Sequence, residues 1–233
     1  MKTFSLLSAK SKIAFGIACL SLTIFAASCK KSDPVEIPVG DLQLRAINAV
    51  SGSASQDLLI NSAVKATAVS YGNASPYFIM TSGVSNVGFY DTGTNTTANT
   101  GGQVDFPIGA KASIFYIKLP AGDLSAILLN DVTAAPTTGK AKVRFLHLNN
   151  FLGTTTAISV AVDGTATSLV PSATYGQPSN YFEVDPGAKF NFTGAGVVVG
   201  VAFDGSLVAG KVYTIWVDGT GATNLTGHIY AQN

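Results

Sequence analysis

The chain offers little material for chemistry, and the few reactive side chains can be weighed one by one. His147 and His228 are its only histidines, the residue type best placed to move protons near neutral pH. His147 shares one face of an alternating segment with Val143 and Phe145, which predicts a core position rather than a ligand. His228 has no Cys, Asp or Glu at a ligand spacing beside it, so no zinc site is expected. Composition allows a Ser-His-Asp set, but there is no G-x-S-x-G turn, and Gly83-Val84-Ser85-Asn86-Val87 breaks that pattern at its last position. Asp163, Asp204 and Asp218 each precede a glycine, a dipeptide that suits tight hairpins with positive φ. Glu183 and Asp185 are the carboxylates that sit close together outside such dipeptides, and alternate strand positions there predict a solvated edge. Gly219-Thr220-Gly221 lacks the third glycine and the helix of a phosphate loop. No catalytic, cofactor-binding or metal-binding residue is assigned.

Two features leave room for binding. The segment Asp91 to Asp105, DTGTNTTANTGGQVD, places two carboxylates fourteen positions apart among Thr, Asn and Gly. A hard cation needs a denser set of oxygens, so a polar loop is the plainer expectation. That loop has no counterpart in the second half of the chain, and inserted loops on rigid scaffolds often carry binding. Tyr71, Tyr77, Tyr175 and Tyr181 recur at equal spacing, as does the turn between them. Equal spacing is what a shared fold imposes, with each hydroxyl hydrogen-bonded, although exposed tyrosines also stack sugar rings in carbohydrate-binding modules.

The elements that must position these residues begin after residue 28. Lys2, Lys10 and Lys12 precede an apolar run from Ile13 to Ala27. That run is shorter than the roughly twenty residues a membrane span requires, and with the small residues that follow it reads as a signal peptide, 1–28. The stretch Phe25-Ala26-Ala27-Ser28-Cys29 resembles the lipobox of bacterial lipoproteins, with Ala26 where Leu is usual. The resemblance implies a lipid thioether on Cys29 and an anchor at the outer membrane. Ordinary signal cleavage leaving a free Cys29 is the alternative. Residues 29–40 carry charges and two prolines without periodicity and read as a tether. Lys30 and Lys31 ahead of Asp33 are similar to surface-export signals of Bacteroidota lipoproteins, so the outward and periplasmic faces both stay open.

Removal of residues 1–28 leaves 11 basic and 13 acidic side chains, a net charge of −2. That balance excludes an electrostatic nucleic-acid binder. Only Cys29 remains of the two cysteines, so the exported domain has neither a disulfide nor a cysteine metal site. With 12% charged and 47% hydrophobic residues, against about 25% charged in ordinary domains, the chain is a folded rather than a disordered one.

The remaining sequence repeats itself. LQLRAINA (42–49) lines up with AKVRFLHL (141–148), TAVSYGNASPYF (67–78) with PSATYGQPSNYF (171–182), and GAKASIFYI (109–117) with AGKVYTIWV (209–217). The offsets are 99, 104 and 100, in one order, and the third pairing sets Trp216 against Tyr116. Alternation in Ile158, Val160 and Val162, and in Val143, Phe145 and His147, predicts half-buried strands. Val197–Val199 with Val201–Phe203 predicts a strand buried on both faces. No helical stripe appears after residue 41. The chain is therefore expected to be all-β, with two β-sandwich domains in series, 41–138 and 139–233.

AKVRFLHLNN, ISVAVDGT and YGQPSNYFEVDPG resemble the domain of unknown function 4397, best over 141–217, with the first copy diverged. The resemblance implies an immunoglobulin-like β-sandwich in an exported bacterial protein and supplies no catalytic residues. The expected function is a non-catalytic envelope lipoprotein with a structural or adhesive role, held to the membrane through Cys29 and meeting a protein or glycan partner at the cell surface. A glycan- or small-ligand-binding lipoprotein is the alternative.

Overall fold

The computed structural model describes residues 38–194 and 202–233. Cys29, the signal segment, the tether up to residue 37 and the apolar run 197–201 lie outside the described residues. Among those described, the chain is all-β, with one 3-10 turn at Asn150–Leu152.

The first repeat runs β1 (Asp41–Asn48), β2 (Gln56–Ile60), β3 (Ala63–Val69), β4 (Phe78–Thr81), β5 (Gly83–Asp91), β6 (Thr100–Phe106), β7 (Lys111–Lys118) and β8 (Leu124–Asn130). It forms two four-stranded sheets, β4-β1-β7-β8 and β3-β2-β5-β6. The second runs β9 (Ala141–His147), β10 (Ile158–Val162), β11 (Ser168–Ala173), β12 (Phe182–Val184), β13 (Lys189–Gly194), β14 (Phe203–Asp204), β15 (Val212–Gly221) and β16 (Asn224–Ala231). Its sheets, β12-β9-β15-β16 and β11-β10-β13-β14, reproduce the first pair. In each repeat the first strand lies parallel to the seventh, β1 on β7 and β9 on β15.

Each sandwich has its own core. Leu42, Leu44 and Ala46 of β1 meet Leu58, Phe89 and Tyr116 in the first, and Val143 and Phe145 of β9 meet Val160, Phe190 and Ile215 in the second. Fully burying one such side chain contributes about 1.5–3 kcal/mol.

A third core joins them. Ile47, Ala49, Phe115, Ile117 and Leu129 pack against Leu146, Leu148, Trp216 and Tyr230. Thus the β1 sheet and the β9 sheet lie back to back, and the repeats stack as four layers rather than standing in series as beads. The alternation of β9 predicted one solvated face. Both faces are instead buried, because the other repeat covers the face that a lone sandwich would show to water.

Register corrects one sequence pairing. Arg45 is opposite Ser113, and Arg144 is opposite Thr214. The seventh strands are therefore related by 101 residues, not 100, and Trp216 corresponds to Phe115 rather than Tyr116. A one-residue slip exchanges the two faces of a strand. Accordingly Tyr116 lies in the first sandwich core, and Trp216 lies in the joint.

Candidate functional site: the joint between the repeats

The candidate residues converge on the joint, and they do so in matched pairs. Arg45 and Arg144 sit on the joint-facing sides of β1 and β9. Arg45 Nη2 donates to the carbonyl of Ala231 at 2.7 Å, and Arg144 Nη1 donates to the carbonyl of Asn130 at 2.6 Å. Asn130 and Ala231 are the matching last residues paired at the starts of β7 and β15. Each arginine thus reaches across to the end of the other repeat, as in a two-fold contact.

The next residues on, Asp131 and Gln232, break that symmetry. Asp131 accepts from Arg144 Nη2 at 2.7 Å, from Tyr77 Oη at 2.6 Å and from Ser113 Oγ at 2.5 Å. Gln232 occupies the corresponding place with a neutral amide. It donates to Thr214 Oγ1 at 2.7 Å and to Tyr181 Oη at 2.8 Å, and accepts from the Val132 amide at 3.0 Å. Arg45, facing no carboxylate, lies 3.7 Å from the ring centre of Tyr77 and 4.3 Å from that of Tyr230, and its Nε has no hydrogen-bond partner. Burial, then the hydrogen bond and charge of Asp131, hold the Tyr77 hydroxyl protonated well above the usual phenol range.

The repeated YGNASPYF and YGQPSNYF segments account for this geometry residue by residue. Gly72 and Gly176 turn with φ of 80° and 75°, which glycine adopts without strain, and their amides donate to Asn48 and His147 carbonyls at 2.9 Å. Ser75 exchanges two hydrogen bonds with Ala46, and Ser179 does the same with Phe145. These contacts aim Tyr77 and Tyr181 at the joint. The tyrosines therefore serve packing with bonded hydroxyls, and none of the eight is exposed.

At the other end of the joint stand Tyr71, Asp218 and His228. Tyr71 Oη donates to Asp218 Oδ1 at 2.8 Å, and His228 Nε2 lies 3.0 Å from the same oxygen and 3.2 Å from Tyr71 Oη. The imidazole stacks on Trp216 with ring centres 4.9 Å apart. Asp218 is 2% exposed, and its Oδ2 has no partner. Tyr175 completes the pattern from the second repeat by donating to the Lys118 carbonyl at 2.7 Å. Burial, then Asp218, raise the Tyr71 hydroxyl above the usual phenol range, and burial raises Tyr175 to about 12. An acid, a base and a phenol meet here, but as a pin between repeats in which one carboxylate oxygen takes both neighbours.

Sequence spacing did not place His228 near Asp218, because the contact is made across the β15–β16 hairpin and not along the chain. Asp218 was expected in a turn. It lies inside β15 instead, and Gly219 is needed for another reason: a Cβ there would lie 1.8 Å from the Asn224 carbonyl oxygen. Asp204-Gly205 is corrected in the same way. The positive φ falls on Ser206, at 50°, and Asp204 caps it by accepting from the Ser206 amide at 2.9 Å. Asp163-Gly164 does form the expected turn, with φ of 77° at the glycine.

His147 is fully buried, and its Nδ1 accepts from the Asn149 amide at 3.2 Å. Its counterpart Asn48 makes the same bond to the Val50 amide at 3.1 Å. Burial pushes the His147 pKa down. Glu183 and Asp185 are exposed on the edge strand and just beyond it. There Glu183 accepts from the Thr137 amide at 2.9 Å, and Asp185 pairs with Lys140 at 2.7 Å.

The loop from Asp91 to Asp105 does not form a cation site. Asp91 accepts from Gln56 and Asn99 at 2.7 Å each. Asp105 pairs opposite Val84, seven residues away along β5, a separation of about 23 Å at the rise of a strand. Among the described residues no cluster of three metal-ligating side chains occurs. The carboxylate that does organise this end is Asp57, which sequence reading passed over. It is 5% exposed and accepts from Thr67 Oγ1, the Ala68 amide and Thr92 Oγ1 at 2.8, 2.8 and 2.9 Å. Burial opposes its charge, but those bonds prevail and hold its pKa below the usual carboxylate value. Its only signal in sequence was a lone Asp ahead of the apolar run Leu58–Ile60.

Fold and joint together define a tandem pair: two repeated β-sandwiches fused through a buried polar interface. Residues 42–154 match the family described as Domain of unknown function (DUF4397), and this stretch is similar to that family. The match runs from β1 through the first repeat and β9 to residue 154, so it meets the resemblance read over 141–217 only at 141–154. No curated protein matches the sequence. Among solved structures the chain is similar to one described as "Alpha-glucan binding by a streptococcal virulence factor", at 12% identity over 76% of this chain and 92% of that chain. Its TM-score is 0.23, and that likeness carries no argument about function.

Proposed function

We propose that the protein is a non-catalytic lipoprotein of the cell envelope, anchored at the outer membrane through lipid on Cys29, whose two repeats act as one stiff interaction module. The observation that carries this reading is the use of the reactive side chains. His228, Asp218, Arg144, Asp131 and the paired tyrosines are spent on the joint, where their bonds hold two sandwiches in one orientation. A module of this kind presents fixed loops and sheet edges to a protein partner. The glycan reading needs two aromatic rings side by side on one face, and among the described residues Phe151 is the exposed aromatic.

The test has two parts. Cells grown with an alkyne fatty acid should yield labelled protein from the natural sequence and none from Cys29→Ala. Protease added to intact cells should remove an epitope placed after Asn233 while a periplasmic marker survives. An unlabelled protein would remove the anchor, and protection of the epitope would turn the module toward partners inside the envelope.

A further inference from the structure

One end of the first repeat is apolar where the fold does not ask for it. Val39, Ile79, Val84 and Ile108 are 67%, 66%, 65% and 54% exposed. All four surround the point where the chain enters β1. Ile108 sits at the tip of the β6–β7 turn against Gly40, to which a Cβ would come within 2.9 Å of an Ile108 methyl. Ile79 and Asp41 together line a groove of about 510 Å³ with Gly109, and a second groove of about 590 Å³ with Val84. Single exposed aliphatic residues are ordinary, but a cluster at strand ends and turn tips marks a contact surface.

The second repeat supplies the control. Matching the strands places Thr138 at the position of Val39, Glu183 at that of Ile79, Ala188 after the turn glycine where Val84 stands, and Ala209 at that of Ile108. The same fold is thus made with small or polar residues at these four sites. The aliphatic set belongs to the repeat that follows the tether.

Eight residues lie between Cys29 and Pro38, so a fully extended connection of nine steps reaches about 30 Å. Resting on the lipid anchor proposed above, we infer that this end of the first repeat docks on the bilayer surface, with Val39, Ile79, Val84 and Ile108 entering the interface between headgroups and acyl chains. A short tether keeps the patch near the surface continuously, so four modest aliphatic contacts suffice to orient a module that the lipid has already captured. Docking by this end sets the opposite end of the joint, with Tyr71, Asp218 and His228, away from the membrane.

Acylated full-length protein in phosphatidylethanolamine–phosphatidylglycerol vesicles tests this. An environment-sensitive fluorophore on Ile108→Cys should shift to the blue and lose emission when the lipids carry acyl-chain quenchers. The same probe on Phe151→Cys, an exposed position beyond the end of β9 and so at the opposite end of the molecule, should do neither. Ile79→Glu, which installs the residue of the second copy, should diminish the quenching at 108. Protein that floats with the vesicles while its 108 probe stays unquenched would overturn docking and leave the anchor intact. Protein that fails to float at all would overturn both together.

Discussion

At the scale of single residues, the two arginines have unequal surroundings. Arg144 meets a carboxylate that is fully buried, and Arg45 meets rings and carbonyls. Removing one partner of a buried ion pair leaves an uncompensated charge, at a cost of about 3–5 kcal/mol. Asp131→Ala is therefore expected to lower the denaturation midpoint by a corresponding amount, measured by urea unfolding at pH 7. A second contrast lies between Asn48 and His147, which end equivalent strands with equivalent bonds. Burial lowers the His147 pKa, so the unfolded chain binds the proton more readily than the folded one. The stability this confers is present above about pH 6.5 and is lost as pH falls toward the folded pKa, at up to about 1.4 kcal/mol per pH unit. His147→Asn, which copies the first repeat, should flatten that slope between pH 6.5 and 5. An unchanged slope would assign the pH dependence to other groups.

Elements explain what was legible from sequence and what was not. Strand existence could be read from alternation, since Ile158, Val160 and Val162 declare a period of two on their own. Duplication could be read because Arg45 and Arg144, and the two tyrosine segments, keep their order. What a lone strand cannot disclose is the object on its other face. Leu146 and Trp216 are apolar on that side, but so are many residues that packing within one sandwich would claim, and the one-residue slip at β7 and β15 concealed which face was which. The pin of Tyr71, Asp218 and His228 was invisible for a related reason, being assembled from three elements, one of them in the other repeat. Hairpin β15–β16 also gives a test at this scale. Gly219→Ala forces a methyl into the Asn224 carbonyl, and such overpacking costs about 1–3 kcal/mol. Thermal unfolding should report that loss, and hydrogen exchange should show it first in β16.

For the molecule as a whole, the third core makes the two sandwiches one cooperative body. Heating should give a single transition by calorimetry and by the emission of Trp216, the chain's one tryptophan, which is fully buried in the joint. Two resolved transitions would mean that the repeats fold independently. Trp216→Ala should lower the stability of both repeats together, by about 3–5 kcal/mol as for large aromatic deletions in cores, and residues 139–233 expressed alone should expose Leu146, Leu148 and Tyr230 and self-associate.

The reciprocal reach of the arginines has the form of an isologous dimer contact, in which the same patch on each partner meets its twin. Such a contact is closed once made. Each sandwich owns one sticky sheet, and here each sheet has already found the other within the same polypeptide. Adding a third copy to this chain by duplication would give it an unmatched face, whereas a fourth would restore parity. Architecture of this kind grows by twos, and its smallest complete form is the pair found here.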